Sequence, residues 1–98
     1  MLFIVRFTDQ PASLPLRQKL LAAHLGWLEQ HRATVLVAGS LRPEPDAAPV
    51  GACWVVEAAS KANVEALLRT DPFWVGGLRA AHEIDYWSKA FPDRSVSI

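Results

Sequence analysis

Three segments of this chain are apolar on both sides of any strand they could form: LFIVRF at 2–7, TVLVA at 34–38 and ACWVV at 52–56. A strand with one face on a core and one in water alternates apolar with polar residues. These segments do not, so they call for a sheet covered on both faces. Only two stretches carry a helical pattern long enough to provide cover, and both lie on connections between strands. A chain of 98 residues supports one domain with a single core and has no material for a second layer of helices.

The order of elements follows from local signals. Leu2 to Phe7 reads as a strand, and TDQPAS turns the chain. Ser13 is placed to cap a helix from about 14 to about 32, with Pro15 accommodated in its first turn. Thr34 to Ala38 is a second strand that Gly39 ends, and Gly51 to Glu57 is a third. Between them, residues 42–50 hold three of the seven prolines and form an exposed, irregular loop. SKANVEALLRTD is a capped amphipathic helix, ended by the bias of Asp71 before Pro72 away from helical backbone. FWVGG is a short turn, and Arg79 to Trp87 is the last strand. The order β-α-β-β-α-β is the split βαβ, or ferredoxin-like, arrangement: an α+β fold with two helices on one face of a four-stranded antiparallel sheet. It makes 1–98 one domain, with its core in 1–87 and a tail at 88–98.

The uncovered second face of that sheet is met most economically by another copy of the chain, so the expected state is a homodimer packed sheet to sheet. Ten basic and ten acidic residues balance, with no basic block, which argues against nucleic acid as a partner. No stretch approaches the roughly 20 apolar residues of a membrane span, and the opening MLFIVRFTD lacks the features of a signal peptide, so a cytoplasmic protein is expected. The lone Cys53 reads as a small buried side chain. HExxH, paired CxxC, GxGxxG and P-loop patterns do not occur, so neither a metal nor a nucleotide cofactor is expected.

One residue breaks the hydrophobic pattern. In LPLRQKLLAAHLGWLEQ the residues Leu14, Leu20, Leu21, Leu25, Trp27 and Leu28 form one broad apolar arc, and His24 falls inside it. Arg17 and His31 lie nearly in line with it, one heptad away on either side. A polar group on such a face needs a partner or a cavity. A carboxylate would fix one imidazole tautomer and leave the other nitrogen competent in proton transfer. Asp71 can serve, although Asp-Pro is equally an N-cap and first residue of a short helix through Val75; one carboxylate has acceptor sites for both roles. Arg17 suits an anionic substrate or a surface carboxylate such as Glu29 or Asp9. His31 suits the helix C-terminus, where a cation complements the dipole. On the last strand His82 shares a face with Ile84 and Tyr86, while Glu83 and Asp85 share the other with Trp87. The four tryptophans read as core or interface anchors.

The opening strand, the helix with Arg17 and Ala23-His24-Leu25, Ala38-Gly39 after the second strand, and Asp71-Pro72-Phe73 before the last strand occur here in a set order and spacing. In these features, from about 1 to about 87, the chain resembles the YCII-related family. The resemblance implies ferredoxin-like subunits paired as a dimeric α+β barrel, and a His-Asp dyad that maps onto His24 and Asp71. It also implies proton-transfer chemistry of lyase, isomerase or dehydrochlorinase type on a small cyclic substrate, without a cofactor. Arg17 and Ser40 are the expected substrate contacts. The alternative is a non-catalytic dimeric module that binds a small ligand in the same pocket.

Overall fold

Phe3, Val5 and Phe7 point to one side of the first strand, and everything that packs on that side forms the core. A computed structural model describes all 98 residues, Met1–Ile98. The elements are β1 (Leu2–Asp9), α1 (Leu14–Gln30), β2 (Val35–Leu41), β3 (Gly51–Glu57), α2 (Lys61–Leu68), α3 (Pro72–Val75) and β4 (Arg79–Trp87). The sheet order is β2-β3-β1-β4 with every neighbour antiparallel, which is the ferredoxin-like topology. Phe3, Val5 and Phe7 meet Trp54 and Val56 of β3, Ile84 of β4, Trp27 of α1, and Val64 and Leu68 of α2.

Several boundaries differ from the sequence reading, each for a local reason. Gly39 does not end β2: it pairs with Cys53, and the ladder continues to Leu41 opposite Gly51. Ser13 occupies the N-cap of α1 but its hydroxyl bonds nothing there, whereas Ser60 Oγ caps α2 by accepting from the Asn63 backbone at 3.1 Å. After α2 the chain forms the short helix through Val75 that Asp71 and Pro72 were placed to start, and leaves it through Gly77 at φ +83°, a conformation that favours glycine.

The face of α1 that carries His24 was expected to meet a partner or a cavity, and it borders a cavity. Of its apolar arc only Trp27 is buried, alongside His24, while Leu14, Leu21 and Leu25 stay exposed. The arc therefore faces a cavity over much of its length.

On the outer face Leu2, Ile4, Val37 and Val55 are only half-buried, and Trp87 is exposed. Cys53 is half-exposed on this same face, not buried as its surroundings in the sequence suggest. The tail contributes Phe91, Val96 and Ile98 to one side of a groove of about 700 Å³ against Leu2, Val55 and Trp87, and all three tail residues remain exposed. No helix is long and apolar enough to cross a membrane.

Candidate active site

His24 is held by two consecutive features of the Asp71-Pro72-Phe73 segment. Its Nδ1 donates to Asp71 Oδ1 at 2.7 Å, and its ring stacks on Phe73 with centroids 3.9 Å apart and planes 14° from parallel. The same Asp71 oxygen accepts the Phe73 backbone N–H at 3.2 Å, so the carboxylate caps α3 and orients the imidazole at once. The two readings of Asp71 coexist. Since a carboxylate only accepts, Nδ1 carries the proton of the neutral ring and Nε2 is its lone-pair nitrogen. Nε2 has no partner within the chain and is not among the sealed polar atoms, and His24 lines the cavity.

Beside this pair lies a second polar group. Asp9 Oδ1 accepts from Arg79 Nη1 at 2.7 Å, and Asp9 Oδ2 accepts from Arg17 Nη2 at 2.9 Å. Arg17 Nη2 also donates to the Gly51 carbonyl at 3.3 Å. The side chains of Asp9 and Arg79 are 3% and 1% exposed. Arg17 therefore pairs with Asp9 as one of its expected partners, but that carboxylate is deeply buried and not on the surface. Glu29 pairs instead with Arg32, at 2.9 Å.

The burial of Asp9 was readable by continuing the alternation of Phe3, Val5 and Phe7 two residues further. Arg79 was not readable, because the same alternation back from Ile84 and His82 lands on Ala80. A bulge shifts the β1–β4 register between Thr8 and Asp9, so that Asp9 stands opposite Arg79. Such irregularities re-aim side chains at strand ends.

The cavity, of about 560 Å³, opens between α1, the end of β2, the sheet and the proline-rich loop. Arg17, His24 and Ser40 line it, together with Trp54, Phe73 and Arg79. Asp71 sits behind His24. The loop at 42–50, expected only to be exposed, supplies a wall through Arg42, Asp46 and Pro49, with Arg42 Nη1 tied to the Ala47 carbonyl at 2.8 Å.

The other singled-out residues lie elsewhere. His31 closes the C-terminus of α1, its Nδ1 2.8 Å from the Trp27 carbonyl. His82 Nε2 donates to Glu65 Oε2 at 2.9 Å, and Glu83 and Asp85 lie beside Arg6 on the outer face. No three His, Cys, Asp or Glu side chains are grouped so as to hold a metal ion.

Fold and site together define a ferredoxin-like α+β domain with a histidine–aspartate pair set into a cavity beside its sheet. The chain belongs to the YCII-related domain family, which matches it over residues 1–88. It is similar to 5-chloro-2-hydroxyhydroquinone dehydrochlorinase from Burkholderia phenoliruptrix, whose structure was solved with 2,5-dihydroxybenzoquinone. Identity is 33%, coverage 90% of this chain and 94% of that one, and the TM-score 0.81. A protein from Agrobacterium tumefaciens shares the fold at 19% identity and a TM-score of 0.53, covering 92% of this chain and 94% of its own. No curated protein matches the chain.

Proposed function

We propose that this chain is a cofactor-independent enzyme of lyase or isomerase type that moves a proton on a small cyclic substrate. The observation that carries this reading is the 2.7 Å bond from His24 Nδ1 to buried Asp71, which leaves Nε2 unpartnered at the cavity. His24 takes and returns the proton, Asp71 holds the tautomer and stabilises the imidazolium, and Arg17 and Ser40 contact the substrate.

Similarity to a dehydrochlorinase supports a chlorinated, multiply hydroxylated ring as the substrate class. Loss of HCl from a chlorinated trihydroxybenzene to a hydroxyquinone is redox-neutral. Two protons leave hydroxyl oxygens; one goes to the ring carbon bearing chlorine, and the other is lost as the C–Cl bond breaks and chloride departs with its electron pair. The reaction needs a group that accepts a proton from oxygen and delivers one to carbon, which a neutral histidine nitrogen does.

The test is chloride release from chlorinated hydroxyquinols by the wild type and by His24→Ala. A positioned general base contributes about 10²–10⁴-fold, and the variant should lose turnover by that factor. Unchanged turnover in His24→Ala would remove the mechanism. Ligand binding without turnover by the wild type would instead support a binding module.

A further inference from the structure

The cavity beside His24 is longer than one ring requires. Helix α1 lines it through Leu14, Arg17, Leu21, His24, Leu25 and Leu28. From Leu14 to Leu28 the helix rises about 21 Å, close to four turns. A single hydroxylated ring covers little more than one of those turns. The volume of about 560 Å³ lies within the range, roughly 300–1,000 Å³, of sites that enclose drug-sized ligands.

The side chains along this length fall into two rows. Arg17 and His24 form one, drawn inward by their bonds to the buried carboxylates of Asp9 and Asp71. Leu14, Leu21 and Leu28 form the next at the same heptad spacing, with Leu25 beside it. The polar row is the floor of the cavity, and the leucines are its lip. Leu14, Leu21 and Leu25 are 42%, 41% and 54% exposed, and Leu28 is half-buried. The other walls bring in Ala38 of β2 and Ala48 and Pro49 of the proline-rich loop. The charged pair on that loop, Arg42 and Asp46, also lines the cavity, with Arg42 turned back onto the Ala47 carbonyl.

Single exposed leucines are ordinary on a protein surface, but a continuous strip of them above a cavity marks a binding surface. The rest of the chain does not cover the strip. The tail lies against Leu2, Val55 and Trp87 on the outer face of the sheet, whereas α1 packs on the inner face through Trp27. A second copy on the outer face would leave the leucines as they are.

We infer that the substrate carries an apolar substituent, an alkyl or aryl group on its ring, that lies along Leu21, Leu25 and Leu28 against Pro49. The polar edge of the ring then meets His24. This rests on the proposed function and deepens it by naming a substrate larger than a simple chlorinated trihydroxybenzene. Each methylene buried against the leucines strengthens binding by about fourfold.

The experiment measures binding by titration calorimetry, with no turnover needed. The probes are two homologous series running from methyl to hexyl, the 3-alkyl-2,5-dihydroxybenzoquinones and the 4-alkylphenols. Affinity for the wild type should climb about threefold to fourfold per methylene. Leu21→Gln and Leu25→Gln, both at exposed positions that fold does not depend on, should flatten that slope. Val55→Asp, in the outer groove, should leave it unchanged. A flat slope in the wild type would overturn the inference, as would a slope that survives both leucine substitutions. A slope lost in Val55→Asp would place the alkyl chain in the outer groove and overturn it equally. If the slope holds while no ring releases chloride, the reaction is wrong and the apolar site stands. A slope seen with phenols alone likewise keeps the apolar site and removes the quinol ring. Chloride release from the unsubstituted ring with a flat slope removes the apolar site alone.

Discussion

Asp9 and Arg79, 70 positions apart, meet at 2.7 Å with both side chains nearly sealed from solvent. The guanidinium of Arg79 lies 4.4 Å from the ring centre of Phe7 and 5.0 Å from that of Phe73. Burial lowers the affinity of Arg79 for its proton; the hydrogen bond and charge of Asp9 and the charge of Asp71 oppose this, and Arg17 adds to it. Arginine starts so high that it stays charged, and Asp9 is the group that makes its burial tolerable.

Asp9→Asn should therefore destabilise the fold by about 3–5 kcal/mol, the cost of leaving a buried charge without its partner. Urea denaturation at neutral pH measures this. A loss below about 1 kcal/mol would show that the guanidinium groups find other partners.

Asp71 serves both a helix cap and the imidazole, and the two roles separate under substitution. Asp71→Asn keeps a side-chain acceptor for the Phe73 N–H, so stability should fall by less than about 1 kcal/mol. Turnover should fall more than about tenfold, because a neutral amide neither stabilises the imidazolium nor enforces the tautomer. Asp71→Ala should lose both, with a stability cost of about 1–3 kcal/mol. Paired unfolding and rate measurements on the two variants check the separation.

Gly51 is required by contact. A Cβ there would overlap the Phe7 carbonyl oxygen across the β1–β3 ladder, and the Gly51 carbonyl also accepts from Arg17. The obstacle is backbone on both sides and cannot rotate away. Gly51→Ala should cost about 2 kcal/mol or more, visible as a lowered Tm.

Glu65 accepts from His82 at 2.9 Å and from Arg69 at 2.7 Å. Burial pushes its carboxyl up, but the hydrogen bonds and charges of His82 and Arg69 outweigh that and hold it below its ordinary 4.5. A carboxyl depressed by folding contributes stability above the titration of the unfolded chain and loses it as pH falls through the folded value. At neutral pH Glu65→Gln should cost at most about 1 kcal/mol, given how far these side chains reach into solvent. The difference from wild type should shrink below about pH 4. Urea midpoints at neutral and acid pH test it, and a gap that widens in acid would reverse the assignment.

The half-covered outer face leads us to propose a second copy packed against it. Sedimentation equilibrium should report a dimer at micromolar concentration, and Val55→Asp, placed on that face, should shift it toward monomer. A monomeric wild type would leave the face to some other cover.

The order of strands and helices was legible because hydrophobic period, caps and prolines are local properties. β3 and β4 begin and end where the pattern placed them. β2 ran on because backbone hydrogen bonds to β3 overrode a glycine that locally reads as a stop. His24 stood out because a helix advertises which residues share a face, and Asp71 because Asp-Pro marks a turn with a free carboxylate. The family resemblance joined the two. That α1 faces a pocket followed from His24, but which residues of its arc line that pocket (Leu21, Leu25) and which fills the core (Trp27) was not legible, since the two kinds look alike in sequence.

The amino-acid sequence by itself determined the ferredoxin-like order, the histidine out of place and the turn able to answer it. Only the tertiary structure decided that the answer is given, at 2.7 Å, and that Asp9 draws in both Arg17 and Arg79. It also decided that the proline-rich loop walls the same cavity. The physical reason is register. A one-residue bulge set Arg79 opposite Asp9, and a slip of that kind follows from how two distant strands close their hydrogen bonds, which no short stretch of either strand records.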